Sequence, residues 1–243
     1  EGLHGYWRFD NSKSNRGNSL EFDGQDDGVI ISDSKSLTIN GSITMSAWVK
    51  PDNCGDSHGT VAMKQGSYYM QVHDDCTVAV FTYYNNSGSS SGGYQYSNTA
   101  LKTGKWSHIA LNKLSNGTER IYINGKLDSS DFGGVGVWQN NDDFEIGNQN
   151  TGDGDRRFDG VIDDVRIFND SLSTSEMQLL YQNKDIPGKN MVLEQKFNQD
   201  PKKCDITSSN TCLKDASEEN NDGSPLNFDD NLFNTGSGWN DET

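Results

Sequence analysis

Two adjacent acids, Asp163 and Asp164, sit inside the apolar run "FDGVIDDVRIF" (Phe158 to Phe168). Paired carboxylates can act as general acid and base, hold a metal, or serve ordinary strand chemistry. Side chains alternate across a β-strand. A straight strand therefore puts Asp163 with Val161, Val165 and Ile167, and Asp164 on the other face with Ile162, Arg166 and Phe168. A retaining glycosidase needs its two carboxyl groups about 5–5.5 Å apart across one bond, so the catalytic-dyad reading fails. Asp163 then faces an apolar row with no basic residue on its own side of the strand. A buried carboxylate needs a partner, and calcium is the expected one; the alternative is a rim position accepting backbone N–H bonds. Asp164 is expected to pair with a neighbouring cation or with water.

A second chemistry is suggested by aromatic residues. The stretch "FTYYNNSGSSSGGYQYSN" (Phe81 to Asn98) gathers Tyr83, Tyr84, Tyr94 and Tyr96 around a Ser/Gly linker. Flat rings with polar neighbours suit sugar binding; the plain alternative is a hairpin whose tyrosines alternate in and out. Trp138 lies in the Gly-rich "GGVGVWQNNDD" and is the most exposed-looking tryptophan. In "NQNTGDGDRRFDG" (Asn148 to Gly160), Asp153, Asp155, Arg156 and Arg157 can hydrogen-bond sugar hydroxyls or a carboxylate. Asp153 and Asp155 could instead hold a second calcium, or the loop is a solvated hairpin tip. His4, His58, His73 and His108 are scattered and flank no G-x-S-x-G nucleophile elbow. His108 alternates with Trp106 and Ala110, which favours a structural role.

The elements that must position these groups are strands. Period-two alternation runs through Ile43–Val49, Tyr68–Val72, Thr77–Tyr83, Trp106–Leu111 and Arg120–Ile123, each bounded by Gly, Asn, Asp or Ser. Asn116-Gly117 and Asn124-Gly125 are tight-turn signals. Strands at such short intervals predict an all-β, antiparallel two-sheet sandwich or jelly roll. One short helix is expected after Ser173, with Glu176 completing a capping box and Met177, Leu180 and Tyr181 beyond it.

The net charge is −16 over 243 residues. That balance argues against nucleic acid, whose phosphates attract basic patches, and permits calcium, basic partners or neutral glycans. No apolar run approaches the 18 or so residues of a membrane-crossing helix, so no membrane insertion is expected. The chain opens directly on a strand-like segment, as a trimmed piece of a larger protein would. Four cysteines form two local pairs, Cys54/Cys76 and Cys204/Cys212, without C-x-x-C spacing. Local disulfides are the favoured connectivity, with Cys54 and Cys76 meeting at one rim of the sandwich. Disulfides and sequons such as Asn116-Gly117-Thr118 point to an extracellular, secreted or cell-surface setting. After Pro187 the composition turns acidic and Asn/Ser-rich, so residues 1–186 are expected to form the domain and 187–243 an acidic segment.

Six stretches occur in a telling order: "LEFDGQDDGVIIS", "LTINGSITMSAWVKPD", "GKWSHIAL", "RIYINGKLDSS", "FEIGN" and "FDGVIDDVRIFNDSLSTSEMQLLY". Together, over residues 3 to 182, they resemble the laminin G-like jelly-roll domain of the concanavalin A-like lectin/glucanase superfamily. The resemblance implies a concave and a convex sheet and a structural calcium. The metal ligands it implies are Asp163, backbone carbonyls near Trp7 to Asp10 and around Gly24, and, as a side-chain candidate, Asp10. Trp48 and Trp106 match family packing positions. The segment "VLEQKFNQD" with "KDASEENNDGSPLNF" looks like the opening of a second such unit. It is either a truncated repeat or an appendage that docks back, bringing Asp215 or Asp222 to the metal. The E-x-D-x-x-E strand of hydrolase relatives is missing: Glu21-Phe22-Asp23 is not continued by Gly24, Gln25 and Asp26. Of the lyase relatives' motifs, "YYMQVH" (Tyr68 to His73) is a faint echo. The expectation is a non-catalytic module that binds a polysaccharide or cell-surface glycan. A surface-protein partner, or a hydrolase or lyase with an unrecognised site, is the alternative.

Overall fold

The computed structural model describes residues 19–54, 58–83, 93–149, 156–197 and 213–226, and the backbone of 233–234. The strands are β1 (Ser19–Asp23), β2 (Gly28–Ile31), β3 (Ile43–Pro51), β4 (Gly59–Lys64), β5 (Tyr68–Val72), β6 (Thr77–Thr82), β7 (Gln95–Ala100) and β8 (Ser107–Lys113). They continue as β9 (Thr118–Ile123), β10 (Lys126–Phe132), β11 (Phe144–Ile146), β12 (Asp159–Phe168), β13 (Met191–Gln195), β14 (Gly223–Leu226) and β15 (Phe233–Asn234), with helix α1 (Thr174–Tyr181) after β12. One sheet runs β10-β9-β8-β3-β12-β1-β15, with β13 also paired to β12; the other runs β14-β2-β11-β4-β5-β6-β7. All pairings are antiparallel. This is the two-sheet sandwich that the alternating strands predict.

The core forms where the two inner faces meet. Strand β3 turns Ile43, Met45, Ala47 and Val49 inward, against Tyr68, Met70, Val78 and Val80 of the facing sheet. Truncating one such side chain to alanine costs about 2–5 kcal/mol, because the neighbours close the gap only in part. The intervening Thr44, Ser46 and Trp48 of β3 are buried too. Helix α1 explains this: Met177 and Leu180 pack with Ala110, Tyr122 and Phe168 on the outer face of the first sheet, and Tyr181 stacks on Trp48 at 5.5 Å. The expected capping box starts the helix. Glu176 N donates to Ser173 Oγ at 3.3 Å, and Ser173 N donates to Glu176 Oε2 at 2.6 Å.

Cys54 and Cys76 are disulfide-bonded, with Cα atoms 5.2 Å apart. Closing a loop of 22 residues restrains the unfolded chain enough to stabilise the fold by about 3 kcal/mol. Cys204 and Cys212 lie outside the described residues. Strands β13, β14 and β15, all from beyond residue 187, are hydrogen-bonded into the two sheets. Val192, Leu193, Phe197 and Leu213 join the main core. Among the described residues no helix is long and apolar enough to cross a membrane.

Strand β12 departs from the straight alternation expected of it. Its register with β3 slips between Asp163 and Arg166, and Asp164 has φ +50°. This is a β-bulge: one extra residue bends the strand and turns the side chains beyond it to new faces. Ile162, Val165 and Ile167 all reach the core. Asp163 therefore does not share a face with Val165 and Ile167. It shares one with Arg166, the basic residue that a straight strand would place opposite.

Candidate functional site

The outer face of the second sheet carries a continuous set of rings. Register places Met63 beside Tyr69 and Tyr69 beside Phe81. These three form their own buried cluster, with Tyr83 and Tyr94 packed against it. Ring centroids are 5.8 Å apart for Tyr69–Phe81, 4.4 Å for Phe81–Tyr83, 5.1 Å for Phe81–Tyr94 and 6.1 Å for Tyr94–Tyr96. Such spacings are those of contacting aromatic pairs. Tyr69 and Phe81 form the floor, while Tyr96 stands 43% exposed.

Polar groups surround the rings. The next row of the sheet holds Thr60, Gln71, Ala79 and Tyr96 side by side. Gln71 Nε2 donates to Thr60 Oγ1 at 3.2 Å, and its buried Oε1 has no hydrogen-bond partner. His73 packs edge-on against Tyr96 at 5.2 Å and against His58 at 4.1 Å. Burial first, then the charges of His73 and Arg156, push the His58 imidazole below its ordinary value. Burial raises the Tyr96 hydroxyl, and neighbouring Tyr94, Asp75 and Asp74 add to the shift. Arg156 Nη1 donates to the Tyr94 hydroxyl at 2.8 Å. Rings, a guanidinium, an amide and two imidazoles on one face can stack on a sugar ring and hydrogen-bond its hydroxyls.

Of the expected ligand residues, Tyr83, Tyr94, Tyr96 and Arg156 come together here. Trp138 is 44% exposed; its backbone N–H donates to Tyr83 O at 2.7 Å, which puts its loop at the Tyr83 end of the row. Arg157 is half-buried. Tyr84 and Asp155 lie outside the described residues. Tyr69, Gln71, His58, His73 and Phe81 are members that the aromatic-loop reading omits. For all but His58 the signal is the period of β5 and β6: Tyr68, Met70 and Val72 are inward, so Tyr69, Gln71 and His73 are outward. Trp106, expected to pack in the core, is half-buried. It lines a surface pocket with Leu101, Lys102, Ser107, Ile123 and Asn124, and Lys50 Nζ lies 6.0 Å from its ring centroid. His108 is structural: it is buried against Trp48 and Tyr181.

Of the implied metal set only Gly24 and Asp163 are among the described residues, and these two lie apart. Gly24 packs against Asp159, four residues along β12 from Asp163 and so roughly 13 Å away. Asp10 lies outside the described residues. Asp163 accepts from Asp164 N at 2.8 Å, and burial, reinforced by Asp164, raises its carboxyl well above the usual range. Arg166 lies 3.3 Å from Asp164 and 3.0 Å from Glu194. Asp215 accepts from the backbone of Glu194, Ser217 and Asn221, and Asp222 accepts from Asp215 N.

A family model described as the concanavalin A-like lectin/glucanases superfamily matches residues 23–178. A comparison with curated protein sequences finds no match. Among solved structures, a presumptive carbohydrate-binding protein from Bacteroides ovatus superposes with a TM-score of 0.69 at 20% identity, over 91% of this chain and 60% of that one. This chain thus spans under two thirds of that relative's length. Domain 4 of an extracellular arabinanase from Geobacillus stearothermophilus, in complex with arabinotriose, gives a TM-score of 0.52 at 24% identity, over 68% of this chain and 76% of that one. The binding domain of a paraclostridial mosquitocidal protein gives 0.52 at 15% identity, over 64% of this chain and 41% of that one. At these identities the likeness is one of fold. The family model covers more than half of the residues, and the chain belongs to the laminin G-like group of the concanavalin A-like lectin/glucanase superfamily.

Proposed function

We propose that this chain is a non-catalytic carbohydrate-binding module of a secreted or cell-surface protein, and that it takes its ligand on the outer face of the β5–β6–β7 sheet. The observation that carries this reading is the chain of rings Tyr69, Phe81, Tyr94 and Tyr96, flanked by Arg156 and His73. The arabinotriose held by the arabinanase domain supports a glycan as the ligand class. The Cys54–Cys76 disulfide supports an extracellular setting. Structural calcium belongs to the same reading, with the buried Asp163 as one candidate ligand. Residues 1–186 are the binding domain, and 187–243 supply strands that complete its sheets. The test is binding to a panel of neutral and acidic polysaccharides. Loss of binding in Tyr96→Ala supports the reading; no binding by the folded chain across the panel sinks it.

One observation favours a second reading. His73 and Tyr96, a candidate base and acid, adjoin each other beside Gln71 on the same face, as a polysaccharide lyase would need. Unsaturated sugar product that disappears in His73→Ala would establish it over the first.

A further inference from the structure

The turn between β1 and β2 carries charge that the aromatic face does not use. Asp23, Asp26 and Asp27 bring carboxylate oxygens within 4.8 Å of one another. Asp27 is 2% exposed. Its Oδ2 accepts from Asp23 N at 2.9 Å, and its buried Oδ1 has no partner. Asn148 reaches the same turn from the end of β11. Its Nδ2 donates to Asp26 O at 3.1 Å, and its Oδ1 is also buried without a partner. A Cβ on Gly28 would come 2.9 Å from Asn148 Cβ, so glycine lets the two segments close.

An unpartnered carboxylate oxygen held away from water is costly. The Asp27 carboxylate oxygen and the Asn148 amide oxygen, beside the carboxylates of Asp23 and Asp26, form an all-oxygen donor set of high negative charge.

We propose that Asp23, Asp26, Asp27 and Asn148 form a calcium site that ties the β1–β2 turn to the segment after β11. Oxygen-only donors without His or Cys select a hard cation over zinc. Carboxylates and an amide on irregular backbone suit calcium's flexible coordination better than magnesium's strict octahedron. The ion joins the two sheets, since β1 belongs to one and β2 and β11 to the other. The site is separate from Asp163: Asp23 lies opposite Asp159 in the β1–β12 register.

The experiment is calorimetric titration of the chelator-stripped chain with calcium chloride, with melting curves in calcium and in chelator. The variants are Asp27→Asn, Asp23→Asn and Asp163→Asn. The native chain binds calcium and melts at a higher temperature with it. Asp27→Asn and Asp23→Asn each lose one ion or weaken binding roughly tenfold or more, while Asp163→Asn retains an ion that depends on Asp27. Absence of calcium binding by the native chain overturns the proposal. So does binding whose affinity and stoichiometry are unchanged in the Asp27 and Asp23 variants, whatever Asp163→Asn does. If Asp27→Asn fails to fold, the half-buried Asp23 decides the outcome alone.

Discussion

Arg156 donates from Nη1 to the hydroxyl of Tyr94 at 2.8 Å, so the guanidinium is held beside the aromatic row by a neutral partner. A neutral partner leaves the positive charge available to a ligand oxygen, which a carboxylate partner would not. Replacing Arg156 by Ala should weaken glycan binding by about 1.5–3 kcal/mol, the range of a hydrogen bond to a charged group. The melting temperature should barely move. Titration of the native chain and the variant with the best ligand of a polysaccharide panel checks both statements.

Tyr96 and Phe81 sit in one aromatic cluster and should separate binding from stability. Tyr96 is 43% exposed and Phe81 7% exposed. Tyr96→Ala should cost about 1 kcal/mol or more of ligand affinity with little loss of stability. Phe81→Ala should destabilise the fold by about 3–5 kcal/mol, because it empties the floor of the face. Urea unfolding of both variants, set beside their binding curves, tests the division of roles.

His108 should make stability fall in mild acid. Burial, and to a smaller extent the charge of Arg166, lower its imidazole from 6.5 to about 3. Between those values the unfolded chain takes up a proton that the folded chain refuses. Stability from this group is complete above pH 6.5 and is lost as the pH falls towards 3, at up to about 1.4 kcal/mol per pH unit. Denaturant unfolding across that window should show a steeper fall for the native chain than for His108→Gln. Equal slopes would mean that His108 is solvated.

Lys113 and Glu119 form an ion pair, Nζ to Oε1 at 2.9 Å, with both side chains fully buried. The ammonium also donates to Thr82 Oγ1 and Gly134 O, each at 2.7 Å, which links β8 of one sheet to β6 of the other. Lys113→Met takes the counter-charge from the buried Glu119, and should cost about 3–5 kcal/mol. Lys113→Met combined with Glu119→Leu should recover most of that loss. A double variant as unstable as the single one would show that the pair is not the cause.

Much of this protein is legible along the chain. The alternation of β3, β5, β6, β8 and β9, the Ser173–Glu176 cap and the Cys54–Cys76 pairing are all local patterns, and each is present in the structure. Tyr83, Tyr94, Tyr96 and Arg156 stand out for their chemistry and do meet. Other features depend on partners far away in sequence. The bulge at Asp164 is a mismatch between β12 and β3, strands more than a hundred residues apart, and it moves Asp163 to the side of Arg166. The distance between Gly24 and Asp163 comes from the β1–β12 register, which a period of two does not specify. Tyr69, Gln71 and His73 gain their place on the aromatic face because the facing sheet takes Tyr68, Met70 and Val72 into the core. Residue order determines which side chains can share a face of a strand; only the packing of one sheet on the other decides which face is buried and which is left to bind.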